Sequence, residues 1–514
     1  MQNPHSAINP SVRSTIYFVL WIICATLWVT ACFIWPDFQD NPISGALGIL
    51  SMCAYIVACS IGSFFLLYAI GCNKYICAFA LPLIALSGSV LSFYRIGFHT
   101  TLTPMLIDVT LHTNTEEALG VITWQLFVWI LLNLIVAALL IWIRWNKITV
   151  PHKWLHFVCA ILLGSIYFSC NGRIQNSLCQ RFPYNIPYTF YEYCTIQRDI
   201  QKERTIPNYH IKEQPDTLTV VLILGEAARA DHLQLNGYNR ETNPLLSTRK
   251  NIVSFPNIYS EQTHTLASLP YILTRSDSSH SEYQYTETSF VSIFRNANFQ
   301  TAWISNQDMG STFTPFISEC DTSIYVNAGK SVYVYSRWID EEMIPILNKL
   351  RASAYPRSLY ILHSIGSHWY YNNHVPESMF WFTPITNNRL PKANSIEQLN
   401  NSYDNTIRYM DYFVDSVIAS IEKENAIVIY QADHGEALGE DGEYLHANET
   451  EMAKHPACII WYSDKYAATY PEKIKALIAN KDKPYRTDYV FYSILYAAGI
   501  EAEGDNKTIN IFKQ

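Results

Sequence analysis

Ala426-Ile-Val-Ile-Tyr430 runs through Gln-Ala into Asp433-His434-Gly435-Glu436. The run is short, apolar and rich in β-branched residues, so it reads as a buried strand. A carboxylate and an imidazole then emerge side by side at its end. In open α/β sheets ligands bind beyond the carboxyl ends of the strands. Adjacent oxygen and nitrogen donors at such a place suit a catalytic zinc.

Other runs of this kind lie on both sides of that one. Leu218–Leu224, Thr301–Ile304, Ser358–Leu362 and Ala457–Tyr462 are further candidate strands, and Ser395–Glu422 carries a helical pattern. Strands alternating with helices predict βαβ units and a mostly parallel sheet. Glu226 follows the first run, His363 and His368 follow the third, and Asp433, His434 and His446 follow Ala426–Tyr430. Each alone is an ordinary capped or solvated residue. Together, at three strand ends, they predict a metal site on one rim.

The first third of the 514 residues is of another kind. Charged residues are scarce before about residue 170 and common after it, which predicts a membrane part followed by a water-soluble part. Five spans are expected: Thr15–Trp35, Gly45–Ile70, Ile76–Ile96, Gly120–Trp145 and a shorter Trp154–Cys170. A bilayer core needs roughly 20 residues. Arg13, Lys74, Arg144, Lys147 and Lys153 mark the loops that stay in the cytoplasm, whereas Asp37, Asp40, Asp108, Glu116 and Glu117 lie in the opposite loops. The N-terminus is therefore expected inside, and the chain after about residue 171 outside, in the periplasm of a Gram-negative cell. The first span is too long and too rich in Trp and Ile for a cleaved signal peptide. Val29-Thr30-Ala31-Cys32 has the look of a lipoprotein box, but Phe33-Ile34-Trp35 continues the apolar run.

The resulting division is residues 1–170 in the membrane, a bridge over 171–216 with interfacial aromatic residues, and a catalytic domain over 217–514. The loop Gly97–Leu119 has two readings, a solvated connection or a lid with Asp108, Asn114 and Glu116 seating a lipid headgroup. Eight of twelve cysteines lie in or beside the spans, where they pack as small hydrophobes. No C-x-x-C pair exists, so a thiolate metal site is not expected, and Cys179 with Cys194 is the one pairing considered. A net charge of -8 and the lack of a basic stripe speak against nucleic-acid binding.

A nucleophile for phosphate-ester chemistry is available in Glu261-Gln-Thr-His-Thr-Leu-Ala-Ser-Leu-Pro. Thr263 or Thr265 would lie near a helix start, where free N–H groups and the dipole favour negative charge. Metal coordination would favour the alkoxide. The competing role is a helix N-cap.

Gly225-Glu-Ala-Ala-Arg-Ala-Asp-His, with Asn236-Gly-Tyr-Asn-Arg-Glu-Thr-Asn-Pro after it, resembles the opening motif of phosphoethanolamine transferases. These are membrane-anchored enzymes of the alkaline-phosphatase/sulfatase-like superfamily, among them the lipid A modifying and transferable colistin-resistance enzymes. Thr265-Leu-Ala-Ser-Leu-Pro is similar to the nucleophile motif. Leu362-His-Ser-Ile-Gly-Ser-His, Asp433-His-Gly-Glu-Ala-Leu-Gly-Glu and Tyr444-Leu-His446 resemble the remaining motifs in the family's order. The resemblance implies a five-span helical membrane domain and a sulfatase-like α/β domain with a mostly parallel sheet flanked by helices. It implies Zn2+, one ion or two, held by Glu226, Thr265, Asp433 and His434. His363, His368 and His446 would surround the phosphoethanolamine group or a second zinc. Thr265 would take phosphoethanolamine from phosphatidylethanolamine as a phosphothreonine and pass it to lipopolysaccharide, on lipid A or a core sugar. The setting implied is a multi-pass protein of the bacterial inner membrane, in contact with membrane lipids.

Two departures bear on the acceptor. Where lipid A enzymes carry a cysteine on each side of the nucleophile segment, this chain has Glu261 and Tyr271. Trp303-Ile-Ser-Asn-Gln-Asp-Met-Gly lacks a lysine found in some relatives and resembles the branch that modifies core sugars. A phosphoglycerol transferase or a sulfatase-like phosphodiester hydrolase is the enzymatic alternative, although the Cys/Ser-x-Pro-x-Arg of a sulfatase is incomplete in Ser268-Leu-Pro-Tyr-Ile. A non-enzymatic membrane receptor would give no reason for the rim cluster.

Overall fold

The structure is a computed structural model that describes residues 10–112, 123–170, 172–330, 337–353 and 355–514. The chain forms two compact units that divide between Tyr193 and Cys194, with Gly329 and Lys330 grouping with the first.

Among the described residues of the first unit, four helices are long and apolar enough to cross a membrane: Ser11–Phe38, Gly45–Gly71, Lys74–Gly97 and Trp124–Asn146. The fifth expected span corresponds to Lys153–Ser169. It has 17 residues and reaches the count of five spans only when paired with Gly172–Cys179. Large apolar side chains face outward along these helices, Leu50 and Phe127 among them. Between helices the contacts are polar and specific. Trp21 Nε1 donates to Leu140 O at 2.9 Å and Trp28 Nε1 to Asn133 Oδ1 at 2.9 Å. Such bonds matter where no water competes. Arg144 is buried and donates to Gly71 O at 2.7 Å and Ile148 O at 3.0 Å. Arg95 was passed over in the hydropathy reading; it ends a span and meets Asp40 at 2.6 Å. Asp108 accepts from Tyr193 Oη at 3.0 Å. Asn114 and Glu116 lie outside the described residues.

The second unit is built on a seven-stranded sheet. Leu218–Gly225, buried throughout, is its centre. Arg357–His363 and then Gln300–Ser305 and Thr322–Tyr325 lie on one side, all parallel to their neighbours. Ala426–Ala432 lies parallel on the other side, followed by Cys458–Tyr462 and Ile252–Ser254. Cys458–Tyr462 runs against both neighbours. The expected mostly parallel sheet therefore carries one reversed strand, and the edge strands Ile252–Ser254 and Thr322–Tyr325 are additions to the sequence reading. The core continues through Phe255, Phe290, Trp303, Tyr466 and Phe491, all fully buried.

The fold of this unit reaches back before residue 217. Tyr209–Ile211 pairs antiparallel with Ile500–Ala502, so part of the expected bridge is a strand of the second unit. Asn185–Ile200 is a helix. Cys179 and Cys194 are free thiols, as are the other ten cysteines, so the pairing considered for them is not formed.

Candidate active site

Register brings the strand ends together. Gly225 pairs with Ala432, Leu224 with His363 and Ser305 with His363. Glu226, Asp433, Ser364 and Asn306 therefore begin their loops at one rim, and Asp433 N donates to Gly225 O at 3.0 Å.

Around Glu226 each donor atom has a defined task. Glu226 Oε2 accepts from Thr265 Oγ1 at 2.7 Å and from Gln307 Nε2 at 3.0 Å. Asp433 Oδ1 accepts from the backbone N–H of Ala227 at 3.2 Å and of His434 at 2.9 Å. His434 Nδ1 donates to Gly435 O at 2.7 Å, which turns Nε2 toward the two carboxylates. Three atoms remain without a hydrogen-bond partner although fully buried: Glu226 Oε1, Asp433 Oδ2 and His434 Nε2. Nε2 lies 3.2 Å from Glu226 Oε1 and 3.5 Å from Asp433 Oδ2. Leaving three buried polar atoms unpaired is costly unless a cation takes them. One oxygen or nitrogen of each side chain is fixed by the protein and the other is presented, which is the arrangement of metal ligands braced from behind.

Glu226, His434 and His446 form a group whose ligand atoms lie within 4.8 Å of one another. His446 thus stands in a group that could hold a metal ion. Its Nδ1 faces Glu436 Oε2 at 2.9 Å, and Glu436 Oε1 accepts from Tyr371 Oη at 2.9 Å. His368 Nδ1 donates to Trp369 O at 2.6 Å, and its ring lies 5.3 Å from that of His446. His363 is placed otherwise. Its ring lies between Trp303 and Phe313, at 5.8 and 5.3 Å, and burial pushes its pKa down to about 4. Its Nδ1 is also buried without a hydrogen-bond partner, and the Glu226 charge acts on the ring.

The electrostatics follow from burying two carboxylates together. Burial, then the Glu226 charge, pushes Asp433 up to about 6. Burial would also raise Glu226, but the His434 imidazole outweighs it and holds Glu226 well below the usual carboxylate range. Burial disfavours a charged His434, yet Asp433 and Glu226 together push it up to about 10. The site calls for positive charge at its centre.

The segment around Thr265 is held on both sides. Thr265 starts the helix Thr265–Leu273. Before it, Ser260 N donates to Lys454 O at 2.8 Å and Thr263 O accepts from Ala447 N at 2.8 Å. Thr263 is buried, and Thr265 is the hydroxyl that meets Glu226. Glu261 pairs with Arg486 at 2.7 Å, an ion pair at one of the places where the lipid A enzymes were expected to have a cysteine.

Several supporting residues escaped the sequence reading. Gln307 bridges Glu226 Oε2 and Ser364 O, both at 3.0 Å. Its signal was its place, two residues beyond the end of Gln300–Ser305. Asp340 accepts from Ile365 N at 2.8 Å and Gly366 N at 3.0 Å, and so pins the loop after His363. Gly366 has φ +48°, and a Cβ there would lie 2.9 Å from Glu226 O. Glycine lets that loop close on Glu226, where Ser367 N donates to Glu226 O at 3.0 Å. A Cβ on Gly435 would meet Met452 O at 2.1 Å, which accounts for glycine after Asp433-His434.

Comparison with known proteins agrees with this architecture. The Sulfatase family model matches residues 218–500, and the model for phosphoethanolamine transferase EptA/EptB matches 60–171. Phosphoethanolamine transferase EptC of Escherichia coli K12 is 26% identical over 460 residues, covering 81% of this chain and 79% of its own. The EptA of Helicobacter pylori is 25% identical over 494 residues, covering 92% and 91%. The zinc complex of the periplasmic domain of E. coli EptC is similar with TM-score 0.55 and 25% identity, over 61% of this chain and 90% of that one. The full-length EptA of Neisseria meningitidis shares the fold over 96% of this chain and 98% of its own, at 22% identity and TM-score 0.52. The chain belongs to the phosphoethanolamine transferases of the alkaline-phosphatase/sulfatase-like superfamily.

Proposed function

We propose that this protein transfers phosphoethanolamine from phosphatidylethanolamine to lipopolysaccharide, on lipid A or a core sugar, through a phosphothreonine at Thr265. The observation that carries this reading is the Thr265 hydroxyl donating at 2.7 Å to a buried Glu226 beside three unpartnered metal-seeking atoms. The relatives named as phosphoethanolamine transferases, one of them a Kdo(2)-lipid A transferase of Salmonella typhimurium, support the group transferred and the class of acceptor.

Glu226, Thr265, Asp433 and His434 would hold a zinc ion, with His446 close enough to join them. Bound there, zinc supplies charge neutralisation and lowers the pKa of a coordinated hydroxyl. The protein's own contribution is orientation. Glu226 Oε2 and the start of the helix Thr265–Leu273 fix the Thr265 oxygen, and the helix end favours an arriving phosphate. In the first step the Thr265 oxygen forms a bond to phosphorus and the phosphorus–glycerol bond breaks. The proton leaves Thr265 along its hydrogen bond and ends on the released diacylglycerol. In the second step an acceptor oxygen attacks the same phosphorus, and the Thr265 oxygen leaves and regains a proton. His368 and His446 line the space beside the transferred group. The membrane helices would hold the site in the inner membrane, N-terminus in the cytoplasm and catalytic domain in the periplasm, beside its lipid donor.

Thr265→Ala tests the reading. Mass spectrometry of lipid A and core oligosaccharide from cells making the variant should find no added phosphoethanolamine, while the purified variant keeps its fold and most of its zinc. Full transfer by the variant would overturn the nucleophile assignment. Absence of phosphoethanolamine on both acceptors with the native protein would overturn the substrate.

A further inference from the structure

We propose that Arg408, Arg240 and Trp381 form a subsite for a phosphorylated sugar on the catalytic rim, and that it receives the anionic glycan of the acceptor. This rests on the transfer reading above for the identity of the glycan, but the subsite itself is argued from its own geometry.

The segment from Ser364 to Ser395 leaves the carboxyl end of Arg357–His363 and returns at the start of the helix Ile396–Ile421. It therefore lies at the same end of the sheet as Glu226 and Asp433. Within it stands Met379-Phe380-Trp381-Phe382, an apolar run in a water-facing loop. The loop is clasped to the helix. Phe382 N donates to Asn405 Oδ1 and Asn405 Nδ2 donates to Phe382 O, each at 2.9 Å, and Thr386 N donates to Ser402 Oγ at 2.7 Å. A loop fixed this way holds its side chains ready at little further entropic cost.

Two guanidinium groups gather on this loop. Arg408 lies 4.7 Å from the Trp381 ring centre and 5.9 Å from that of Phe382. Arg240 lies 5.2 Å from the Phe382 ring centre. Arg240 has an anionic partner, Asp404 at 2.7 Å, but that carboxylate is also engaged by His232 and Tyr238. Among the described residues Arg408 forms no ion pair, although its charge acts on the buried Asp411 three residues on. Stacking on aromatic rings uses the guanidinium face and leaves the planar N–H fork, which matches a phosphate bidentately. Trp381 is 39% exposed, an uncommon position for so large an apolar ring. A pyranose ring carrying a phosphate has the complementary pair of features, a flat C–H face and a dianion. An arginine stacked on an aromatic is common on surfaces. What singles this one out is a second guanidinium over the same Phe382 ring, a clamped loop and a place on the catalytic rim.

The test uses the full-length protein in detergent, with phosphorylated core oligosaccharide and the same oligosaccharide after dephosphorylation as probes in calorimetric titration. Arg408→Gln and Trp381→Ala should each weaken binding of the phosphorylated probe at least tenfold with an unchanged thermal midpoint, and dephosphorylation should weaken binding to the native protein by a similar factor. Arg408→Lys keeps the charge, loses the fork and should fall between. Equal binding by native protein and Arg408→Gln overturns the subsite, as does indifference to dephosphorylation, or binding confined to phosphatidylglycerol vesicles. Thr265→Ala should bind the probe as the native protein does. Loss of the transfer reading with retention of this pattern would leave the subsite standing under a different acceptor.

Discussion

Gln307 is the residue on which the division of labour at Glu226 depends. Its amide and the Thr265 hydroxyl share Glu226 Oε2, so Oε1 is the oxygen left for a metal. Gln307→Ala should free the carboxylate to rotate. Residues that brace a metal ligand typically change affinity 10–100-fold when removed. The variant should lose zinc to a chelator at concentrations about tenfold or more below those needed for the native protein, read by metal analysis after dialysis. Unchanged zinc retention would mean that Asp433 and His434 fix the site without this brace. Gln307 was not legible in advance because an amide beside a strand has no pattern of its own, and only the sheet order places it against Glu226.

The helix Ile396–Ile421 is the element that holds the opening motif in place. Asp404, fully buried, accepts from His232 Nδ1 at 2.7 Å, Tyr238 Oη at 3.0 Å and Arg240 Nη1 at 2.7 Å. The residue before it, Tyr403, bridges Ala227 O at 2.7 Å and Arg229 N at 2.8 Å through its Oη. Two turns later, Asp411 accepts from Leu245 N and Leu246 N. The stretch from Glu226 to Leu246 is thus fastened to this helix by three side chains. Asp404→Ala removes the shared acceptor from buried donors and should cost about 3 kcal/mol, seen as a lowered thermal midpoint. A midpoint equal to that of the native protein would show that Tyr403 and Asp411 suffice. Much of this unit was readable beforehand. The central strands announced themselves as β-branched runs, and the rim followed from what came after each. The strand order, the reversal of Cys458–Tyr462 and the short edge strands were not readable, because three or four residues have no periodicity and pairing is settled by the whole core. The same limit hides the packing around His363. Its strand-end position suggested the rim, while Trp303 and Phe313 enclose its ring.

A unit of apolar helices with buried Arg144 at one helix end precedes the sheet domain. The proposed topology puts the basic loops, and with them the N-terminus, in the cytoplasm. A reporter active only outside the cytoplasm should therefore report when fused at the C-terminus, and one that matures only in the cytoplasm should stay silent; the reverse pattern would invert the topology. The free cysteines have a further consequence, one that concerns how the protein is made. Cys458 is buried in the sheet, and burial pushes its thiol up to about 12; burial raises Cys320 as well. Thiols so reluctant to ionise are slow partners in exchange. Neither cysteine is clasped to a partner, so closing the sheet around them asks nothing of thiol oxidases.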